Sequence, residues 1–165
     1  MALTVETGAI VAGANAYASI ASADTYHADR GNAWTGTAAQ KTAALLAATA
    51  YLDGKYRNRW KGSRVQPLVQ ALEWPRAGVQ VEGFAGFLYP YTTIPPEIVA
   101  ATCELALRAL TAPLAPDIAP GDRLVRKKID VIEKEFAPSD FQTSYPVVDQ
   151  LISRYLKSGN DAVRG

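Results

Sequence analysis

The sequence predicts a mainly α fold: a compact bundle of about four helices with a small β-strand or hairpin element and long irregular loops. Three observations carry this. Capped stretches with helical apolar spacing open near Thr37, Ile94 and Pro146. One stretch near Leu124–Phe136 carries β-branched residues with alternating charges. A Gly- and Pro-containing span from 57 to 93 supports no long element.

Taken in order, the first twenty or so residues are rich in Ala, Gly and Thr, with weak alternation around Val5 and Val11. They read as an extended arm or a short strand. A short helix follows to Arg30, capped by Ser19 or Ser22 and stopped by Gly31-Asn32. Thr37 and Gln40 have capping-box spacing, and Leu45, Thr49, Leu52 and Tyr56 then recur about once per turn. The alanines of this helix raise its propensity and allow close helix approach.

After the irregular span, Ile94-Pro95-Pro96-Glu97 starts a long helix with Thr93 as its expected cap. Its polar stripe is narrow (Glu97, Ala101, Glu104, Arg108), so it is expected to be central and packed on most sides. Leu124–Phe136 reads as a strand, or as a hairpin turning near Ile129-Asp130. The last helix begins at Pro146, with Val147, Val148, Leu151, Ile152 and Tyr155 as its expected buried face. The domain expected is 1–156, with 157–165 as a mobile C-terminal tail.

Composition narrows the function. The chain has 165 residues and a formal net charge of +1, so any attraction to nucleic acid must come from a local patch. A single cysteine, Cys103, excludes an internal disulfide. The N-terminal small-residue stretch lacks a preceding positive charge, and no apolar run is long enough for a membrane helix, so neither a secretory signal nor membrane contact is expected.

Catalytic signatures are missing. His27 stands alone on the short first helix, with no Ser or Cys motif around it, and reads as a packing or surface residue. Cys103 reads as a small hydrophobe. One His and one Cys give no zinc spacing, and neither glycine-rich phosphate-binding motif occurs. Glu133 and Glu135, between lysines, read as a solvated strand face. No enzyme activity, cofactor or metal is expected.

Two segments stand out. Residues 55–64 hold Lys55, Arg57, Arg59, Lys61 and Arg64 with two aromatics, Tyr56 and Trp60, and no acid. Three readings fit: a solvated loop whose cations complement a helix C-terminus, a protein interface or DNA-channel wall, or a base-stacking platform for single-stranded nucleic acid. The second segment, Leu72–Val79, contains Trp74, Pro75 and Arg76 and reads as a structural clasp. Trp74 is expected to pack against the helices while Arg76 reaches a carbonyl or carboxylate.

That second segment, Ala71-Leu72-Glu73-Trp74-Pro75-Arg76-Ala77-Gly78-Val79, followed by Ile94-Pro95-Pro96-Glu97-Ile98 and Glu104–Leu110, resembles a small-protein family of tailed phages and prophages. Its members are often labelled DnaT-like single-stranded-DNA-binding proteins, and many sit among head-completion and head–tail connector genes. Asn15-Ala16-Tyr17, Tyr26–Gly31, Ala48–Asp53 and Tyr145–Asp149 extend the resemblance over most of the chain. Ser22 departs from the family, which often has an acid there, as does the missing glycine near Ile129-Asp130.

The resemblance implies a head–tail adaptor, a virion protein at the head–tail junction that meets its partners in the host cytoplasm during assembly. Such a protein forms a ring with copies of itself, a dodecamer by the resemblance, docked beneath the portal protein. It links the portal to a tail or stopper/nozzle protein while genomic DNA passes through. On this reading the basic residues line the DNA channel, and Tyr155, Leu156, Lys157 and Arg164 belong to a portal-binding C-terminal segment. The alternative is a replication-type single-stranded-DNA-binding protein.

Overall fold

Thr37 begins the longest helix because its hydroxyl accepts the backbone N–H of Gln40 at 3.3 Å, while the Gln40 side chain accepts the Thr37 N–H at 2.8 Å. In the computed structural model this helix, α2, spans Ala38–Tyr56 and buries Leu45, Thr49, Leu52 and Tyr56. The structure describes residues 2–80, 86–116, 126–129, 132–135 and 143–157.

Helix α1 (Ile20–Ala28) is capped by Ser19, and Ser22 supplies the reciprocal half of the box, so both candidate serines serve one cap. Helix α3 (Pro96–Ala109) packs against α1, α2 and α4, the central position its narrow polar stripe implies. Two details differ from expectation. Thr93 does not cap α3; its hydroxyl donates to the Pro90 carbonyl. Ala101 is buried, since a methyl group carries no reason to stay in solvent.

Helix α4 (Pro146–Ile152) continues into one 3-10 turn, Ser153–Tyr155. Val148, Ile152 and Tyr155 are buried and Leu151 is half-buried, as expected, whereas Val147 alone of the expected face is exposed. The expected arm is a folded-back loop. The Glu6 carboxylate, itself buried, accepts the N–H groups of Gly8, Ile10 and Val11 at 2.8, 3.0 and 2.9 Å, and holds Ile10 at φ 58. That conformation is costly for a β-branched residue and persists because three hydrogen bonds hold it.

Within the span 57–93, β1 (Ser63–Arg64) pairs antiparallel with β2 (Arg76–Ala77). Residues 1–114 and 145–165 form one compact unit, and 115–144 a second. The second contains an antiparallel hairpin, β3 (Arg126–Ile129) against β4 (Ile132–Glu135), with Ile129 opposite Ile132. Of the two readings of that stretch, the hairpin is the one observed. No described helix is long and apolar enough to cross a membrane.

Candidate functional site: an arginine-lined pocket beside an apolar loop

The end of α2 divides the basic segment by face. Tyr56 and Trp60 continue the stripe of Leu45, Thr49 and Leu52 at one-turn spacing, and neither ring has any exposed surface. Trp60 meets Trp74 edge to face at 5.7 Å between centroids, and Trp74 meets Tyr155 in the same way at 5.4 Å. Among the described residues, the indole N–H groups of Trp60 and Trp74 have no hydrogen-bond partner. The Tyr56 hydroxyl donates to Asp149, and burial with that neighbouring carboxylate drives its pKa up.

The intervening cations point outward. Arg57 is 67% exposed and lies 3.3 Å from a Glu73 carboxylate oxygen. Lys55 sits over the rings of Tyr51 and Tyr56, and Arg59 over that of Tyr56. Lys61 donates to the Arg154 carbonyl at 2.9 Å. Arg64 makes one long contact, 3.5 Å, to the Gln70 carbonyl.

Trp74, Pro75 and Arg76 tie this region to the core. Trp74 and Pro75 are buried, and the peptide bond between them is cis. Arg76 donates from Nε to the Lys61 carbonyl and from Nη2 to the Gly62 carbonyl, both at 2.8 Å. Its Nη1 donates to the Glu73 carboxylate at 2.9 Å. Burial lowers the Arg76 pKa, an effect that the Glu73 carboxylate opposes.

Behind Glu73 lies Asp53. Its two oxygens accept the Tyr17 hydroxyl at 2.6 Å and the Glu73 backbone N–H at 3.0 Å. Burial pushes its carboxyl up to about 6, and the same desolvation, with Asp53 alongside, raises the Tyr17 phenol. A chain of contacts therefore runs from Tyr17 through Asp53 and Glu73 to Arg57 and Arg76. It frames an open pocket of about 370 Å³ lined by Arg57, Arg64, Arg76 and Glu73 together with Gly62, Ser63 and Pro67.

A family model described as "Putative DnaT-like ssDNA binding protein" matches residues 1–165. The chain belongs to this family. No curated protein and no solved structure matches it. For this DnaT-like chain, the structure separates the residues singled out from sequence. Arg57, Arg64 and Arg76 gather at one pocket, whereas Lys55, Arg59 and Lys61 are not among its lining residues.

Tyr155 and Leu156 lie in the core: Tyr155 packs against Trp74 and Tyr89 and donates to Glu97 at 2.8 Å, and Leu156 pairs with Trp60. Lys157 donates its backbone N–H to the Arg59 carbonyl at 2.7 Å. Arg164, and the tail beyond Lys157, lie outside the described residues.

His27 is buried, with Nε2 3.1 Å from the Cys103 carbonyl and Nδ1 3.2 Å from the Asn32 amide nitrogen. That pattern suits a neutral ring donating from Nε2, and burial lowers its pKa. Among the described residues no group of His, Cys, Asp and Glu could hold a metal ion.

Sequence reasoning missed Asp53, Glu73 and Gln70 as organisers of the pocket, and the apolar tip Leu68–Val69, which is 98% and 71% exposed. The one-turn spacing from Leu52 to Tyr56 and on to Trp60 was the signal that the rings face inward.

Proposed function

We propose that this chain is a head–tail adaptor of a tailed phage, a structural protein without catalytic activity. It forms a ring with its own copies, docks beneath the portal protein, contacts a tail or stopper/nozzle protein, and lets genomic DNA pass through. The observation that carries this reading is the apolar side chains that the irregular span displays to solvent: Leu68, Val69, Leu88 and Tyr91. Exposed apolar residues gathered on one span favour association with other proteins. A closed ring needs two different patches on each subunit, and this span is the source of one.

Burial of Tyr56 and Trp60 supports the same reading, because stacking on bases needs an exposed ring face. The basic segment offers DNA its charges, which suits a wall that passes duplex without reading it.

A second reading, a single-stranded-DNA-binding protein of the replication type, is favoured by the family description. The cations Arg57 and Arg59 are exposed and could track phosphates. Any stacking would fall to other rings, such as Tyr91.

Co-sedimentation with the portal protein from the same phage tests the two, alongside fluorescence anisotropy with oligothymidylate at about 0.15 M salt. The adaptor reading expects portal association, weak DNA affinity, and the protein's presence in purified virions. Tight, steeply salt-dependent DNA binding without portal association, or absence from virions, overturns it in favour of the second reading.

A further inference from the structure

We propose that the pocket between β1, β2 and the end of α2 is a docking site for an acidic segment of a partner protein. A partner carboxylate would enter among Arg57, Arg64 and Arg76, and a neighbouring apolar side chain would cover Leu68 and Val69.

Charge is the first argument. Three guanidinium groups face one carboxylate, Glu73, leaving two positive charges in a pocket of about 370 Å³. Glu73 is shared between Arg57 and Arg76, so its charge is already engaged. Among the described residues no carboxylate pairs with Arg64. Guanidinium groups bind carboxylates through paired, charge-assisted hydrogen bonds, and Ser63 is also among the lining residues.

The loop beside the pocket is the second argument. Leu68 is 98% exposed, yet the loop that carries it is firmly tied. Buried Gln70 donates from its side-chain nitrogen to the carbonyls of Leu72 at 2.8 Å and Pro75 at 3.0 Å. Its side-chain oxygen accepts the Gln66 N–H at 3.3 Å, and its own N–H returns to the Gln66 carbonyl at 2.8 Å. A loop pinned this way holds two aliphatic side chains in water with little ordering cost left for binding.

Apolar tips beside the arginines favour a protein segment over nucleic acid. A phosphate backbone brings no apolar surface to Leu68, whereas a peptide can place an apolar side chain there. The pocket would serve the same way whichever assembly the chain joins.

The test is fluorescence anisotropy on the full chain with a labelled peptide carrying two leucine–glutamate pairs in a glycine–serine frame. Its leucine–glutamine analogue and a labelled oligothymidylate run in parallel. The expected result is binding of the acidic peptide, with the glutamine analogue roughly tenfold weaker or worse. Arg64→Gln and Leu68→Ser should each weaken the acidic peptide by about fivefold or more. Leu68 is almost wholly exposed and Arg64 makes a single long hydrogen bond, so the folded state is expected to survive both changes; circular dichroism checks this.

Four results overturn the proposal. One is no peptide binding at about 1 mM. Another is equal binding of the glutamine analogue, and a third is insensitivity to both substitutions. The last is preferential oligothymidylate binding that Arg64→Gln weakens, which would make the pocket a phosphate site.

Discussion

Replacing Asp53 by Asn should change how stability depends on pH. Asp53 is buried and its carboxyl is pushed up to about 6 from 3.8, chiefly by desolvation. The folded chain therefore keeps this proton up to about pH 6, while the unfolded chain releases it near 3.8. Between those values the folded state binds more protons, so Asp53's contribution to stability falls as pH rises through the window. A displacement of that size corresponds to about 3 kcal/mol, present in full below 3.8 and lost above about 6. His27 works in the opposite direction. Burial depresses its pKa, so its contribution is present above 6.5 and declines as pH falls below that value. The wild-type curve alone mixes the two, and the difference between wild type and Asp53→Asn isolates the carboxyl. The Asn side chain can still accept from Tyr17 or from the Glu73 N–H, but it sets an amide donor against the other, a pH-independent cost of about 1–3 kcal/mol. Urea unfolding followed by tryptophan fluorescence at pH 4, 5, 6 and 7.5 reads this directly. Wild type should gain about 2 kcal/mol relative to the variant on going from pH 7.5 to 4, most of the full displacement. Curves that stay parallel, or a wild type that loses ground toward acid, refute the account of Asp53.

Three further outcomes follow from the packing. Trp60→Ala should cost about 3–5 kcal/mol because it empties a fully buried site. Thermal unfolding measures it, and a small effect would contradict the buried ring. Gly8→Ala should destabilise by at least about 1–3 kcal/mol: φ is +101, and the added Cβ would stand 2.2 Å from the Thr92 carbonyl oxygen. An unchanged melting temperature would show that the 6–11 loop does not pack against Thr92. Truncation after Leu156 should cost less than about 1 kcal/mol, since it removes one described backbone hydrogen bond and keeps the core residues Tyr155 and Leu156. The same truncation should abolish portal co-sedimentation, and undiminished association would refute a docking role for the tail.

Much of the bundle was legible because its signals are local. The Thr37–Gln40 box and the Leu45, Thr49, Leu52, Tyr56 stripe lie within one helix and specify both its start and its buried face. The near-continuous apolar character of α3 likewise marked the central helix. The last helix was less legible. Pro146 announced its start, but Val147 and Val148 are adjacent and equally apolar, and only the packing of α4 on α3 selects Val148 for the interior.

The candidate site shows the same boundary. Sequence alone determined that residues 55–64 concentrate positive charge, that Trp74 and Arg76 lie in an unusual segment, and that the chain carries none of the familiar catalytic motifs. Tertiary structure alone decided that Trp60, beyond the end of α2, is core while Arg57 and Arg59 are surface. It also decided that Arg57, Arg64 and Arg76 share one pocket, and that Glu73 is held from behind by Asp53. The physical reason is range. A cap or a helical stripe is set by neighbours within one or two turns, whereas the pocket is made by contacts between residues far apart in sequence, such as Asp53 with Glu73 and Arg76 with the Lys61 carbonyl. Which of those contacts form depends on how the whole core closes.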